Sequence, residues 1–371
     1  MIELKQVTKQ YPGQALPAVD QLSLSIPEGE ICVLVGPSGC GKSTTLRMIN
    51  RMIEPTSGSI KINGNDVMNT DSDQLRMGIG YVIQQIGLLP HRTIAENIAI
   101  VPRLYKWPKD KIKKRVEELI VMMGLDPEKT RDKYPSQLSG GQMQRVGVAR
   151  AMAVDPPIML MDEPFGAVDP IARTHLQDEF LRLQKEIKKT IVFVTHDINE
   201  AIKMGDKIAI FNAGELVQFG TPEDILTNPK NDFVENFIGH DRVVKKLNLF
   251  HVEEAMQPVG CIVREHELQG AAQKMRDTGA EVAFLLNEAG ISCGHITLAD
   301  FGESGDDSER LKKRVLRTEK AFVQTTTSLP DALSRLLEYD VDYLGILKGE
   351  ELRGMLSFKD IRKHVYRKEG E

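Results

Sequence analysis

The sequence predicts an α/β protein in two parts. A sheet domain spans residues 1–240 and carries an inserted helical subdomain at about 89–155; a smaller α+β pair of repeated units follows it. Three observations predict this. Short β-branched runs alternate with longer helical patterns through the first part, as strands and helices do in a parallel sheet. A long polar segment interrupts that alternation. Beyond residue 250 a motif returns: Gly294-His295-Ile296-Thr297-Leu298-Ala299-Asp300 recurs 60 positions later as Gly354-Met355-Leu356-Ser357-Phe358-Lys359-Asp360.

Length and composition bound the alternatives. At 371 residues the chain exceeds one compact core. It is 41% hydrophobic and 27% charged, which argues against disorder and fibrous structure. The net charge of -5 gives no reason to expect nucleic acid. Four cysteines without C-x-x-C spacing argue against a disulfide framework or a structural zinc, and fit a reducing compartment. The N-terminal residues lack the apolar core of a signal peptide, and no run approaches the ~20 apolar residues of a membrane helix. If the protein serves a membrane process, another chain is expected to do the spanning.

The elements follow in chain order. Ile31-Cys32-Val33-Leu34-Val35, Pro157-Ile158-Met159-Leu160-Met161 and Ile191-Val192-Phe193-Val194-Thr195 lack polar alternation, which suits strands covered on both faces. The pattern over 110–123 reads as a helix of the inserted subdomain. Two further runs, 207–211 and 215–219, flank Asn212-Ala213-Gly214 as a hairpin. Thr221-Pro222-Glu223-Asp224 opens a helix with a cap, a proline and two acids. In the second part, helical patterns at 268–276 and 329–337 each precede a β-like run, at 282–286 and 343–347, and a polar Gly/Ser-rich stretch at 302–308 separates the two copies.

Gly36-Pro37-Ser38-Gly39-Cys40-Gly41-Lys42-Ser43-Thr44 fits G-x-x-x-x-G-K-[ST] between a strand and a helix. Its glycines let backbone N–H groups turn toward phosphate oxygens, and the helix start adds its positive dipole end. Lys42 supplies charge to the β- and γ-phosphates, and Ser43 an oxygen for Mg2+. The apolar run to Met161 ends in Asp162-Glu163, at the strand end where open α/β sheets bind ligands. Asp162 is the expected Mg2+ partner, and Glu163 the group that polarises the attacking water. Cys40 needs no chemical role, because a phosphate cradle uses no thiol. Leu138-Ser139-Gly140-Gly141-Gln142 makes a second anion-binding helix start. A second one in the same chain points to a nucleotide clamped from two sides.

With these motifs in this order, the sequence resembles the ATP-binding cassette (ABC) ATPases along residues 1–240. In that family ATP lies between two cassettes arranged head to tail. The resemblance implies ATP and Mg2+ as cofactors and a second copy of the cassette as partner. It makes Ser139, Gly140, Gly141 and Gln142 the signature that completes the neighbour's site. It implies that Tyr11 stacks on adenine and that Gln84 (chosen over Gln85 from the following Leu88-Leu89-Pro90-His91) contacts Mg2+ or the attacking water and links to a membrane subunit. It also makes Asp169 the D-loop aspartate and His196 the switch histidine at the γ-phosphate. Glu163, His196, Gln84 and Lys42 are then the catalytic set, with Ser43, Gln84 and Asp162 at the metal. His91 reads as a surface residue and Trp107 as packing.

One phosphate loop, one signature and no heptad tract favour an importer motor over a soluble family member acting on ribosomes or DNA. Ile79-Gly80-Tyr81-Val82-Ile83-Gln84-Gln85-Ile86-Gly87-Leu88 is similar to quaternary-amine importer ATPases, which serve uptake of glycine betaine, carnitine, choline or proline betaine; amino-acid and polyamine importers are the alternatives. The repeated turn resembles tandem cystathionine-β-synthase-type (CBS) domains, over 252–308 and 309–371 after a linker at 241–251. Thr297, Asp300, Ser357 and Asp360 fall where relatives contact the ribose or phosphate of an adenine nucleotide or cyclic dinucleotide. The basic runs 310–314 and 362–364 offer a competing reading, salt-dependent contact with anionic lipid. These resemblances imply transmembrane permease subunits as partners, an extracytoplasmic substrate-binding protein acting indirectly, no nucleic acid, and a peripheral place on the cytoplasmic face of the membrane.

Overall fold

A computed structural model describes residues 1–83, 87–166, 168–288, 290–301, 315 and 320–366. The chain divides into two compact units, Met1–Gly239 and His240–Glu371. Gln84, Gln85 and the basic run 310–314 lie outside the described residues.

The first unit holds two sheets. β1 (Ile2–Lys9), β2 (Val19–Ile26), β4 (Ser57–Ile62) and β5 (Asn65–Asp66) form an antiparallel sheet in the order β2-β1-β4-β5. β3 (Ile31–Val35), β6 (Ile79–Val82), β7 (Ile158–Asp162), β8 (Thr190–Thr195), β9 (Lys207–Asn212) and β10 (Glu215–Gly220) form the second, in the order β10-β9-β3-β8-β7-β6. Only the edge strand β10 runs antiparallel to its neighbour, in the hairpin with β9.

β3, β7 and β8 are buried along their whole lengths, which explains their unbroken apolar sequences. β1 and β2 instead bury alternate residues: Ile2 and Leu4, then Leu22, Leu24 and Ile26. Those side chains form one core with Cys32 and Leu34 of β3, Val192 and Val194 of β8, and Leu46, Met48 and Ile49 of helix Lys42–Ile49. Each fully buried aliphatic side chain contributes roughly 1.5–3 kcal/mol, so this core anchors the helix after the phosphate loop.

Helices Ile94–Ile98, Ile100–Leu104, Lys109–Met122, Pro127–Thr130 and Gly140–Ala151 fill the chain between β6 and β7. Among the described residues no helix is long and apolar enough to cross a membrane.

The second unit contains one pattern twice. β11 (Ile262–Arg264), β12 (Val282–Leu286) and β13 (Ser292–Thr297) make a sheet in that order, and β14 (Phe322–Gln324), β15 (Tyr343–Lys348) and β16 (Glu351–Ser357) make another. In each, the first pair is parallel and the second antiparallel.

The segment expected as a linker, 241–251, is helical over Arg242–Leu247, and Leu247 is buried in the core of the second copy with Leu329, Leu344 and Ile361. Val252 and Ala255, assigned by the sequence division to the first copy, pack in that same core. Gln257 also pairs with Met355 of β16. Short apolar segments bury where an open face exists, and here that face belongs to the copy further along the chain.

Candidate functional site

Parallel pairing sets the site. Val35 at the end of β3 lies opposite Thr195 of β8, and Val194 lies opposite Asp162 of β7. The phosphate loop, Asp162-Glu163 and His196 therefore leave neighbouring strands at the same edge of the sheet.

The loop's shape depends on glycine at two positions. A Cβ on Gly36 would stand 2.2 Å from the Phe211 carbonyl oxygen, and one on Gly41 2.4 Å from that of Ala18. Gly41 also has φ +103 where it begins helix Lys42–Ile49. Pro37, Ser38 and Gly39 are exposed, while Ser43 and Thr44 are half-buried. Lys42 is buried, and its ammonium donates to the carbonyls of Gly36 at 2.7 Å and Pro37 at 2.8 Å. The loop thus folds around its own lysine. Cys40 Sγ lies 3.6 Å from Lys42 Nζ; burial pushes the thiol pKa up and the lysine opposes that.

Ser43 Oγ donates to Asp162 Oδ1 at 2.8 Å. Burial raises the Asp162 pKa, against the hydrogen bond from Ser43 and the charges of Arg47 and Lys42. A hydroxyl and a carboxylate at this spacing are all-oxygen donors, the set that suits Mg2+.

Glu163 follows with φ +49, a left-handed backbone that is uncommon for a residue with a side chain. Three bonds hold it there. Its N–H donates to the Val194 carbonyl at 2.9 Å, and its own carbonyl accepts from Gly166 N–H at 3.2 Å and from Gln144 Nε2 at 3.0 Å. The turn aims the carboxylate at the strand edge, where Oε1 lies 3.3 Å from His196 Nδ1. The His196 side chain is 63% exposed, open to an incoming ligand.

The remaining expected residues stand apart from this pair. Ser139 caps helix Gly140–Ala151: its hydroxyl accepts from Gln142 N–H at 3.3 Å, and Gln142 Oε1 accepts from Ser139 N–H at 3.1 Å. Gly140 and Gly141 form the first turn, half-buried, so the helix start is partly presented to solvent. Asp169 is exposed and caps helix Pro170–Ile187 through Ala172 N–H at 3.0 Å. Tyr11 lies half-buried in the turn after β1, with Lys9 Nζ 5.2 Å from its ring centroid. The loop it begins reaches Ala18, whose carbonyl abuts Gly41. His91 is exposed, and half-buried Trp107 carries Lys111 Nζ 3.7 Å from its ring centroid.

In the second unit, the Thr297 N–H and hydroxyl both donate to Asp300 Oδ2, at 2.8 and 2.9 Å. Ser357 does the same to Asp360 Oδ2, at 2.9 and 2.5 Å. Both pairs close capping boxes, so the recurring motif has a local structural reason.

Sequence reasoning missed Gln144 and Thr195. Gln144 is buried on the signature helix and grips the backbone of Glu163. Its signal was a glutamine on one stripe with Val148 and Ala151, both also buried. Thr195 had no such signal, since a threonine closing a strand is ordinary.

Residues 19–166 match the ABC transporter family. The chain is 43% identical to the glycine betaine/carnitine/choline transport ATP-binding protein OpuCA of Bacillus subtilis (strain 168), over 99% of this chain and 96% of that protein. It is 45% identical to the choline transport ATP-binding protein OpuBA of the same organism, over 99% of this chain and 96% of that one. Among solved structures it resembles the dimeric post-hydrolysis state of the ATP-binding cassette MJ0796 bound to ADP and Pi, with a TM-score of 0.56 and 38% identity over 60% of this chain and 99% of that one.

Proposed function

The chain belongs to the ABC transporter ATP-binding family, and from that premise we propose that it is the ATP-hydrolysing motor of an importer for quaternary-ammonium osmoprotectants such as glycine betaine, carnitine or choline. The observation that carries this is the reach of the similarity, which covers both units of the chain in relatives named for those solutes.

The active unit is a pair of cassettes, as in the dimeric neighbour that binds ADP and Pi. Each chain offers a phosphate loop with Asp162, Glu163 and His196, and separately an exposed Ser139 helix start and Asp169. These are two half-sites that a second copy, turned head to tail, completes. Lys42 exchanges the Gly36 and Pro37 carbonyls for the β- and γ-phosphates of ATP. Ser43 and Asp162, joined by Gln84, would hold Mg2+, which neutralises phosphate charge when bound. Glu163 takes the proton of the attacking water, and His196, oriented by Glu163, faces the γ-phosphate. Ser139 and the N–H groups of Gly140 and Gly141 donate to that phosphate from the partner copy. Tyr11 stacks on adenine.

Closure and reopening of the pair drive transmembrane permease subunits through the Gln84 segment. The motor sits peripherally on the cytoplasmic face of the membrane, and an extracytoplasmic binding protein chooses the solute. The second unit is a CBS pair that regulates transport, with Thr297, Asp300, Ser357 and Asp360 at its adenine-nucleotide positions.

Uptake of labelled glycine betaine, carnitine and choline by a deletion strain complemented with the wild-type chain or with Glu163→Gln tests this. Wild type restores uptake of at least one. Glu163→Gln restores none and hydrolyses ATP ~100- to 10,000-fold more slowly while still binding it. Restored uptake of an unrelated solute alone would overturn the substrate class, and near-normal turnover in Glu163→Gln the catalytic assignment.

A further inference from the structure

Beneath His196 lies a polar cluster that joins two helices to the end of β8. Thr195 is 2% exposed. Its hydroxyl donates to Glu200 Oε2, and Thr195 Oγ1 itself accepts the N–H of Asp197 at 3.1 Å. One hydroxyl therefore fixes the chain on both sides of His196. Glu200, on helix Ile198–Met204, accepts at its other oxygen from Gln177 Nε2 at 2.9 Å.

Gln177 and Arg173 stand four residues apart on helix Pro170–Ile187, the helix that Asp169 caps. Arg173 Nη2 donates to the Val168 carbonyl at 2.9 Å, and its Nε is buried with no hydrogen-bond partner among the described residues. Burial raises the Glu200 pKa, while the bonds from Thr195 and Gln177 and the charge of Arg173 lower it. The two helices are tied again nearby, where Lys203 Nζ lies 2.7 Å from Asp178 Oδ1.

We propose that Glu200 is a positioning residue for ATP hydrolysis: through Thr195 it holds the His196 segment, and through Gln177 and Arg173 it couples that segment to residues 168–169. The carboxylate suits this task because its two oxygens each accept one bond from a different element, so neither element can shift without breaking a charge-assisted bond in a half-buried site. Residues 168–169 precede the helix that carries Gln177 and Arg173. A displacement of Asp169 on engaging a second copy is thereby passed to the backbone around His196. This inference rests on the reading that His196 acts at the γ-phosphate.

The test uses the full chain and measures kcat, KM for ATP and equilibrium ATP binding for Glu200→Ala, Glu200→Gln, Thr195→Val and His196→Ala, and for Glu200→Ala combined with His196→Ala. Glu200→Ala and Thr195→Val should each lower kcat by roughly 10- to 100-fold with KM and ATP affinity within about threefold of wild type. Glu200→Gln should recover most of the loss, because a flipped Gln177 amide restores both hydrogen bonds. In the His196→Ala background, Glu200→Ala should cost less than about twofold more, since it acts through that histidine. Wild-type kcat in Glu200→Ala, or the same loss with and without His196, overturns the proposal while leaving the site reading intact. Normal turnover in His196→Ala alone overturns that reading and this inference with it. If Glu200→Ala does not fold, Thr195→Val decides: a wild-type kcat there overturns the coupling.

Discussion

At Asp162 a carboxylate that is 2% exposed accepts the Ser43 hydroxyl, and burial raises its pKa above the usual 3.8. The native state therefore binds this proton more tightly than the unfolded chain does. Stability contributed by the neutral form is present at low pH and is lost as pH rises through the window between the ordinary and the raised value. At neutral pH the ionised group costs stability, a cost that the proposed role at Mg2+ would account for. Asp162→Asn should accordingly raise the melting temperature of the nucleotide-free protein near pH 7 by a few degrees, on the order of 1 kcal/mol, while lowering ATP hydrolysis at least ~100-fold. The difference in melting temperature should shrink toward about pH 4. A lower melting temperature for the variant across that range would mean that Arg47 and Lys42 outweigh burial.

Helix Gly140–Ala151 does two things with one residue. Ser139 satisfies an otherwise orphaned N–H of the first turn, and the same turn is the proposed contact for a partner's γ-phosphate. The roles separate by substitution. Ser139→Ala removes the cap and should cost ~0.5–2 kcal/mol of stability. Ser139→Asp keeps a capping oxygen but places negative charge against the phosphate, so it should melt near wild type and lose ATP-driven dimerisation and hydrolysis. Denaturant melts and size-exclusion chromatography with ATP measure the two effects; normal hydrolysis in Ser139→Asp would remove the helix start from the site. Elements like this were legible where chemistry and position are local: strand, glycine loop, lysine and helix follow one another directly. The antiparallel sheet was not read, because β1 buries alternate residues and slips register between Leu4 and Val7, which blurs its period. The contact from Gln144 to Glu163 was not read either, since it joins residues 19 positions apart in sequence on different elements.

At the scale of the whole molecule, each of the two compact units has buried clusters of its own among the described residues. Scanning calorimetry of the full chain should resolve two transitions, and a non-hydrolysable ATP analogue with Mg2+ at about 100 times its Kd should stabilise the first unit by roughly 2.7 kcal/mol. AMP or a cyclic adenine dinucleotide should move the other transition if the second unit is a nucleotide sensor; a single transition that every ligand shifts equally would mean that the units unfold together.

The amino-acid sequence by itself determined the buried strands, the phosphate loop, Asp162-Glu163 and the capped turns of the second unit, because each is set by neighbours a few residues apart. Tertiary structure alone decided that His196 meets Glu163, that Glu200 ties two helices to the end of β8, and that Leu247, Val252 and Ala255 complete the core of the later repeat. The reason is physical: strand order and register bring together residues that no sequence interval specifies, and an apolar side chain is buried wherever an open face remains.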